Sequence, residues 1–417
     1  MAKPRTSTLK PGQRGPRIAI YFRMFSPYIL ARINAAADRM DVVGIEGSRR
    51  SAVYAWEPRQ GDERFERRTL FVDEAVDAMA PRRVAAAMHA ALDALDPDVA
   101  CVTGWSHCEA LAMLSWARVH GRPVVVMSES NQHDAVRVGW RELVKRHILR
   151  QCDAALVGGK PQRAYVEALG VHPDRTFIGY DAVDNVFFEA GAAAARADAP
   201  AVRAKFGLPQ RYFLASCRFV EKKNLARLLE AFAAYRAAAG PEAWSLVLLG
   251  DGALRPHLEA KVAALGLGHA VRFAGFKQYD DLPAFYGLAG GFVHVSTVEQ
   301  WGLVVNEAMA SGLPVIVSRT CGCADDLVAH EVNGWLVDPL DVADIARRLA
   351  DLAAPGADRA AMGAKGQAIV ATYGPDRFGD GLLAAVSAAV AAPRRPASAM
   401  SSWILNQLAV RSARGGD

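Results

Sequence analysis

The sequence predicts an α/β protein with two doubly wound, Rossmann-like domains, each built on a parallel sheet, that face each other across a cleft. Short apolar runs of strand length alternate with segments of helical spacing from residue 17 to 180, and the alternation restarts at residue 212. Strands separated by helices are typical of parallel sheets that are covered on both faces. A length of 417 residues is too great for one compact core and agrees with two or three domains.

The first domain is predicted to span residues 17–185. The predicted strands are 17–22, 41–47, 98–104, 123–129, 153–159 and 176–180, and the predicted helices are 27–38, 81–95, 107–119, 138–150 and 160–169. Residues 48–70 are rich in Arg, Glu and Gly, follow neither period, and are predicted to be an irregular excursion. Residues 1–16 contain charges and prolines without an apolar run and are predicted to be a disordered tail.

The second domain is predicted to span residues 186–374, with an Ala-rich, weakly patterned linker at 181–211. The predicted strands are 212–218, 244–250, 270–276, 291–296, 314–318 and 334–338, and the predicted helices are 223–239, 253–264, 280–288, 302–310, 323–329 and further ones from 341. Residues 375–417 are expected to return to the first domain as helices. The last of these, at 401–411, either docks on the first domain or touches lipid, and the sequence leaves both alternatives open.

Composition indicates a globular protein, with 52% hydrophobic and 22% charged residues. The net charge of +5 is uneven, because residues 1–180 carry +6 and the remainder −1. A mildly basic first half suits an acidic acceptor or an anionic membrane surface, although a solvated basic face is the commoner explanation, and nothing else indicates nucleic-acid binding. The six cysteines lack the spacing of a zinc site. No apolar run has the length of a signal peptide or a membrane span, so a cytoplasmic protein is expected.

The stretch Gly291–Ser318 predicts a strand, a polar loop, a helix and a second strand of one parallel sheet. Glu299 lies in the loop and Glu307 on the helix, which should begin at Gly302. The free N–H groups of a helix start favour an anionic phosphate, by about 0.3–1 kcal/mol from the dipole alone. Carboxylates accept hydrogen bonds and repel phosphate, so hydroxyls on either side of it are their expected partners. The competing interpretation is that both carboxylates are solvated surface residues.

Basic partners for such a phosphate follow the first strand of the second domain. Arg218 ends strand 212–218, Lys223 comes five residues later, and Asn224 marks the start of the next helix. The carboxyl end of a strand and the start of the following helix lie at the same edge of a parallel sheet. Two cations there suit a diphosphate leaving group. The alternative is that Lys223 is a solvated lysine at a helix start.

Glycines follow the next two strands in the same topological position. Gly250 and Gly252 lack side chains where a nucleotide could approach the backbone, although glycines also form ordinary turns. Gly275 and Phe276 end the following strand and are candidates for bordering the base. These four residues are therefore predicted to belong to the nucleotide site.

The helix predicted at 138–150 presents one basic and one apolar face. Their members, in that order, are Arg137, Arg141, Lys145 and Trp140, Val144, Ile148. This pattern fits a helix on a membrane surface, but an amphipathic helix facing the protein core is the favoured interpretation.

Four segments of the second half together resemble one known family. They are CRFVEKKN at 217–224, GDG at 250–252, GF at 275–276 and EQWGLVVNEAMASGLPV at 299–315. The resemblance is to the retaining, nucleotide-sugar-dependent glycosyltransferases of family 4, which have the GT-B fold and an E-x7-E motif. It is specific over residues 210–350 and looser over 17–180.

The resemblance implies a role for each matching residue of the second domain. Arg218 and Lys223 would hold the donor diphosphate. Glu299 would contact hydroxyls of the transferred sugar, and Glu307 would contact the ribose hydroxyls. In this arrangement the protein stabilises charge and positions the substrates, and retention follows from front-face attack.

The resemblance also implies backbone contacts and a partner from the first domain. The backbone at Trp301, Gly302 and Leu303 would meet phosphate and sugar. The family's first-domain histidine, which faces the donor sugar, best matches His107 in TGWSHCEA. The family often has a Gly-rich loop after the first strand, whereas this chain has RMFSPY at 23–28, so the acceptor side departs from the pattern.

We predict from these features a cytoplasmic retaining glycosyltransferase that moves a sugar from a nucleoside-diphosphate sugar, UDP first, to a glycan, lipid-linked or small-molecule acceptor. The basic first domain is expected to hold the acceptor, and His133 and Asp134 are candidate contacts with it. Peripheral contact of this domain with a membrane is a further possibility that the sequence leaves open. No cofactor is expected. No metal is expected either, because Arg218, Lys223 and the helix start supply positive charge, and Asp96-Pro97-Asp98, a D-x-D sequence, lies on the wrong side of the sheet. Two other classes stay open: a sugar phosphorylase and a non-catalytic nucleotide-sugar-binding protein.

Overall fold

The structure is a computed structural model, and it describes residues 15–49, 56, 57, 61, 63–393 and 399–411. The predicted disordered tail, residues 1–16, lies almost entirely outside these ranges. Helices and parallel strands alternate in two series, as the apolar pattern predicts, and they form two separate sheets. The predicted class of two Rossmann-like α/β domains is therefore confirmed.

Seven parallel strands form the first sheet: β1 (Arg17–Phe22), β2 (Asp41–Ser48), β3 (Glu66–Phe71), β4 (Val99–Thr103), β5 (Val124–Ser128), β6 (Ala154–Val157) and β7 (Thr176–Ile178). Their order is β3-β2-β1-β4-β5-β6-β7, and Ile18 of β1 lies between Val42 and Val99. The helices are α1 (Pro27–Ala37), α2 (Pro81–Leu95), α3 (Cys108–Val119), α4 (Gly139–Leu149) and α5 (Lys160–Ala168). Apolar side chains cover both faces of the inner strands, so a ligand must approach the strand ends.

One prediction for the first domain is wrong, because part of the segment 48–70 forms the edge strand β3. Its sequence ERRTLF begins with three charged residues, which conceal the strand. Arg67 of β3 forms a 2.8 Å ion pair with Glu46 of β2, a residue that is fully buried. A buried carboxylate is costly unless a cation pairs with it and donates hydrogen bonds. The charged residue Arg67 is therefore part of the sheet and not a sign of an irregular segment. Residues 50–55, 58–60 and 62 lie outside the described part of the chain.

The linker between the two series is helical, which its weak pattern does not reveal. Helix α6 (Asn185–Ala197) starts after Asp184, whose side chain accepts a 3.0 Å hydrogen bond from the Phe187 N–H. Helix α7 (Ala199–Phe206) follows. The buried face of α6 consists of Phe188, Ala192 and Ala195. Because alanines carry most of this face, the usual contrast between large apolar and polar residues is missing.

Six parallel strands form the second sheet: β8 (Tyr212–Ser216), β9 (Ser245–Leu249), β10 (Val271–Gly275), β11 (Gly291–His294), β12 (Val315–Ser318) and β13 (Gly334–Val337). Their order is β10-β9-β8-β11-β12-β13. The helices are α8 (Leu225–Ala239), α9 (Arg255–Ala264), α10 (Leu282–Gly287), α11 (Leu303–Ala310) and α12 (Ala324–Leu327). β8 and β11 are neighbours, so the loops that follow them meet at one edge of the sheet.

Four helices complete the chain: α13 (Val342–Ala353), α14 (Arg359–Val370), α15 (Pro375–Ala391) and α16 (Ala399–Arg411). Helix α15 packs against α1 of the first domain and buries Phe378 and Leu382 there. Helix α16 lies on α3, where Leu405 is fully buried and the Ser115 hydroxyl donates to the Ser402 carbonyl at 3.1 Å. Of the two alternatives for the last helix, the structure thus shows docking on the first domain.

The apolar face predicted for α4 is wrong in part. Ile148 is buried and Val144 packs partly against the core, but Trp140 is 64% exposed. Only the C-terminal part of α4 reaches the core, so its first turn presents apolar side chains to solvent. No helix within the described ranges combines the length and the apolar character that crossing a bilayer requires.

Candidate active site

Contacts between the carboxyl ends of the two sheets centre on the loop after β11. The side-chain amide of Asn131, which follows β5, donates to the Gln300 carbonyl at 3.2 Å. The amide of Gln162 on α5 donates to the same carbonyl at 2.6 Å. Both amide residues are buried, so these hydrogen bonds hold the loop that carries Glu299 against the first domain.

Glu299 lies at the centre of a small polar cluster in this cleft. Its carboxylate forms an ion pair with the Lys223 ammonium, and their side chains are 14% and 11% exposed, respectively. Oε2 of Glu299 also lies 2.9 Å from Nε2 of His294 and 3.3 Å from the Ser296 hydroxyl. The structure therefore brings together Lys223 and Glu299, which are 76 residues apart in the sequence.

Asn224 fixes the turn that presents Lys223. It is buried and adopts a left-handed conformation, with φ 59°, immediately before α8. Its amide donates to the Val295 carbonyl at 3.0 Å and to the Pro339 carbonyl at 2.7 Å. Asparagine tolerates this backbone region better than most residues, and its amide supplies the donors that two buried carbonyls need. The turn is thereby tied to the end of β11.

Opposing effects set the charges in this cluster. Burial alone would raise the pKa of Glu299, but the hydrogen bond with His294 and the charge of Lys223 outweigh it and hold that pKa well below its usual range. Burial would lower the pKa of Lys223, but the charge of Glu299 raises it overall. Burial lowers the pKa of His294. At neutral pH the site therefore contains an ionised carboxylate, which can accept from hydroxyls, and an ammonium, which can bind phosphate.

Glu307 of α11 faces two tyrosines and is only 2% exposed. The Tyr28 hydroxyl donates to Oε1 at 2.8 Å, and the Tyr286 hydroxyl donates to Oε2 at 2.6 Å. Tyr28 belongs to α1, so its hydrogen bond crosses the cleft. Burial raises the pKa of Glu307 to about 7, although both hydroxyls act to lower it. This carboxyl group therefore changes its protonation state near neutral pH.

The loop after β1, which departs from the family pattern, is fixed by charged side chains. Arg23 forms a 3.2 Å ion pair with buried Glu109, and the Phe25 N–H donates to Glu46 at 2.9 Å. These contacts place the first turn of α1, with Tyr28, at the cleft. The Tyr28 side chain thus donates a hydrogen bond to Glu307, the carboxylate that the resemblance assigns to the ribose.

An aromatic cluster joins the two domains beside Glu307. The Phe276 ring, 37% exposed, lies 5.1 Å from Trp56 between centroids, and Trp56 lies 6.0 Å from Tyr28. The Tyr28 ring meets Tyr279 at 5.1 Å. All three pairs have the edge-to-face geometry that aromatic rings favour. Phe276 therefore lies at the cleft edge, and its contact with a base stays a prediction.

The start of α11 is held by a buried tryptophan. Gly302 has φ 105°, and the Trp301 indole, 1% exposed, donates to Asn306 at 2.9 Å. A Cβ on Gly159 of the first domain would lie 2.7 Å from the Trp301 ring. The Trp301 side chain thus anchors the helix start beneath the first domain. Leu303, in the first turn, is half-buried.

Gly250 and Gly252 place their loop against the loop after β8. A Cβ on Gly250 would lie 2.0 Å from the Cys217 carbonyl oxygen, and one on Gly252 would lie 2.6 Å from that of Phe219. The side-chain position of each glycine is therefore filled by backbone of the neighbouring loop, and the contact of Gly250 and Gly252 with a nucleotide stays a prediction. Arg218 lies between these two carbonyls and is half-buried, so the glycines shape the loop that carries it. Gly275 joins the same edge, since its carbonyl accepts from the N–H of residue 250 at 3.0 Å.

Gly250→Ala is expected to lower the free energy of unfolding by about 2–4 kcal/mol, because φ is 126° and the added Cβ meets backbone. Gly266→Ala is the matched control, since φ is 67° there and no atom lies within 4 Å of a Cβ. Its expected loss is about 1–2 kcal/mol, from backbone conformation alone. Urea unfolding measures both, and equal losses would contradict the packing explanation.

His107 lies at the rim of the first domain. It directly precedes α3, and its carbonyl accepts from the Leu111 N–H at 3.1 Å. The histidine that contacts Glu299 is His294, at the end of β11. The role that the resemblance assigns to His107 remains a prediction.

The two acceptor candidates lie in the loop after β5. The His133 N–H donates to the Asn131 side chain at 2.8 Å. Asp134 pairs with Arg137 and accepts from the Gln300 amide at 3.2 Å. Asp134 therefore contributes to the contact between the domains, and its role towards an acceptor stays a prediction.

Sequence reasoning missed several cleft residues: Tyr28, Glu129, Asn131, Tyr286, His294 and Ser296. Glu129 directly follows β5 and is half-buried. Burial raises its pKa, the Arg32 charge lowers it, and the Glu299 charge raises it further. Glu129 and Asn131 could have been found, because polar residues that follow a buried strand lie at the edge of the sheet where ligands bind. His294 could not, because it stands inside an apolar run.

The chain is similar to known proteins in both sequence and structure. Residues 198–368 match the sequence model of the family described as Glycosyl transferases group 1. D-inositol 3-phosphate glycosyltransferase of Salinispora arenicola is 31% identical over 263 residues, which are 60% of this chain and 58% of the relative. Lipopolysaccharide core biosynthesis glycosyltransferase LpsE of Rhizobium meliloti is 32% identical over 167 residues, 40% of this chain and 46% of the relative. The chain thus spans about half the length of these relatives.

Solved structures share the architecture over nearly the whole chain. HepE of Anabaena, in complex with UDP and glucose, superposes with a TM-score of 0.68 at 18% identity, covering 89% of this chain and 99% of that one. Sucrose-phosphate synthase of Thermosynechococcus elongatus gives 0.68 at 20% identity, covering 88% and 97%. Likeness at this identity concerns the fold. Together the comparisons show the GT-B fold, and the second half of the chain is similar in sequence to the Glycosyl transferases group 1.

Proposed function

We propose that the protein is a retaining glycosyltransferase that moves a sugar from a nucleoside-diphosphate sugar to an acceptor held by the first domain. The observation that carries this proposal is the convergence of Lys223 and Glu299 beside the start of α11 in the interdomain cleft. A cation for phosphate and an ionised acceptor for hydroxyls lie where the two domains meet. The group 1 family match covers this half of the chain.

The chemistry asks the protein to stabilise charge and to position two substrates. The bond from the anomeric carbon to the phosphate oxygen breaks, a bond to the acceptor oxygen forms on the same face, and the acceptor proton passes to the departing diphosphate. Lys223 and Arg218 would neutralise the diphosphate, while Glu299 would accept from hydroxyls of the sugar. Lys223 is paired with Glu299 in this structure, so a bound diphosphate would share the ammonium with the carboxylate.

UDP is the first donor to test, and the choice rests on similarity. HepE has been solved with UDP and with UDP-glucose, which is a fact about that protein. The acceptor is a glycan, a lipid-linked molecule or a small molecule, and the basic first domain would hold it. Metal-independence is proposed because Lys223, Arg218 and the helix start already supply positive charge.

Thermal unfolding with UDP, GDP, ADP and UMP tests the proposal. A ligand at 100 times its dissociation constant adds roughly 2.7 kcal/mol to stability, which raises the melting temperature measurably. UDP is expected to stabilise more than UMP, which has the same base and ribose but lacks the second phosphate. Donor hydrolysis or transfer should follow with the matching nucleotide sugar. Failure of every nucleoside diphosphate to stabilise the protein would contradict the donor site, and binding without turnover would favour a non-catalytic protein.

A further inference from the structure

Three large apolar side chains project to solvent around the start of α4. Val136, just before the helix, is 89% exposed, and Trp140 and Leu143, in its first turns, are 64% and 66% exposed. Trp140 and Leu143 are three residues apart and share one face of α4, and Val136 lies in the segment that leads into the helix. This set, the α4 stripe, accounts for three of the most exposed large apolar residues in the part of the chain that the structure describes. Grouped exposed apolar side chains mark a docking surface more often than single ones do.

The orientation of the stripe is fixed by the opposite side of the helix. Ile148 and Leu149 are buried in the core of the first domain. The Lys145 ammonium donates to the Glu142 carboxylate at 2.7 Å and to the Tyr165 hydroxyl at 3.0 Å. Packing and hydrogen bonds therefore hold α4 in place, and the stripe is turned outward.

The charge around the stripe is positive. Arg141 and Arg146 of α4 are exposed, and neither has an ion-pair partner among the residues that the structure describes. The acidic neighbours are already neutralised, because Glu142 pairs with Lys145, and Asp134 pairs with an arginine. The Arg141 guanidinium lies 5.4 Å from the centroid of the Trp140 ring. Apolar and basic side chains are therefore interleaved on one exposed surface.

We propose that the α4 stripe docks on an anionic lipid surface. A tryptophan flanked by aliphatic side chains and arginines suits the boundary between head groups and acyl chains, where apolar atoms are buried and cations meet anionic lipids. Three side chains fall well short of the roughly 800 Å² per partner of a stable protein interface. A second copy of this face would also bring like charges together. An anionic lipid surface therefore fits the stripe better than another protein or a second copy of this chain does.

The position of the stripe connects lipid to the cleft. It begins at the end of the loop after β5, whose Asn131 reaches the Gln300 carbonyl of the second domain. Docking there would hold the cleft mouth beside the head groups, so a lipid-linked molecule becomes the favoured acceptor class. This last step rests on the proposed glycosyltransferase function, whereas docking itself does not.

Co-sedimentation of the full chain with vesicles tests the docking. The vesicles are phosphatidylcholine alone, or phosphatidylcholine with about one third phosphatidylglycerol. Binding is expected to the anionic vesicles and to weaken as salt is raised. The double variant Trp140→Ser/Leu143→Ser should weaken it about tenfold or more, from lost apolar burial. Arg141→Gln and Arg146→Gln should each weaken it about fivefold.

Leu340→Ser is the matched control, since this leucine of the second domain is 62% exposed and should bind like the wild type. Equal binding by the double variant and the wild type, or no binding to anionic vesicles, would overturn the proposal. A dimer that the double variant dissociates, seen by light scattering, would instead make the stripe an interface between copies. The stabilisation by UDP is expected to be unchanged in the double variant. Vesicle binding without any nucleotide effect would leave docking intact and reject the transferase function alone.

Discussion

Replacing Lys223 by methionine is expected to lower kcat for sugar transfer by about 100- to 1000-fold, equivalent to about 3–4 kcal/mol of transition-state stabilisation. The aliphatic part of the side chain stays, while the charge beside Glu299 disappears. A preorganised cation in a closed cleft stabilises the charge that develops on the departing diphosphate without reorganising during the reaction. Initial rates at saturating donor measure the effect.

Lys222→Met is the matched control, because Lys222 is the adjacent lysine and contributes its carbonyl, not its ammonium, to the contact with Thr297. Its kcat is expected to stay close to that of the wild type. Lys223→Met also leaves the buried Glu299 carboxylate without its cation, so unfolding should become easier by about 3 kcal/mol, and rates must be measured well below the melting temperature. A variant that loses stability but keeps most of its rate would show that Lys223 only balances Glu299.

The fold was predictable where large apolar residues contrast with polar ones. Strand β1 and helix α2 have the predicted bounds, since their periods are clean. The edge strand β3 was missed because Arg67 is held by a buried carboxylate of the adjacent strand, a long-range pair that no local period shows. Helix α6 was missed because Ala192 and Ala195 carry its buried face. The local sequence pattern does not predict an element whose residue types are determined by contacts with distant parts of the chain.

The part of the site that could be predicted consists of residues that follow the carboxyl ends of strands, because these ends lie together at one edge of a parallel sheet. Positions at the ends of β8 and β11 implied that Lys223 and Glu299 face one cleft, and the strand order makes them direct partners. The hydrogen bond from Tyr28 to Glu307 was beyond reach, because it joins residues 279 positions apart in different domains. His294 was concealed by the apolar run around it, although its hydrogen bond with Glu299 makes it part of the polar cluster.

Glu307→Gln is expected to stabilise the protein at pH 8 while it weakens donor binding. Burial places the pKa of Glu307 at about 7 in the folded protein, against an ordinary 4.5. Between these values the unfolded chain releases the proton and the folded chain keeps it, so stability falls as pH rises from 4.5 to 7. The full penalty is about 3 kcal/mol, and an amide, which has no such proton, escapes it. The variant should therefore match the wild type near pH 5 and exceed it above pH 7.

Urea unfolding at pH 5 and pH 8 measures this difference, and Glu189→Gln, an exposed glutamate on α6, should show none of it. The same variant is expected to lose much of the stabilisation by UDP, because an amide presents one acceptor oxygen where the carboxylate presents two to the ribose hydroxyls. Tyr28 and Tyr286 each donate to one of the two oxygens, so a bound ribose would use the remaining lone pairs of the carboxylate or replace a tyrosine hydroxyl. Stability and nucleotide affinity would thus change in opposite directions, which a purely structural glutamate cannot produce. A loss of stability at both pH values would show instead that the two tyrosine hydrogen bonds outweigh the burial of the charge.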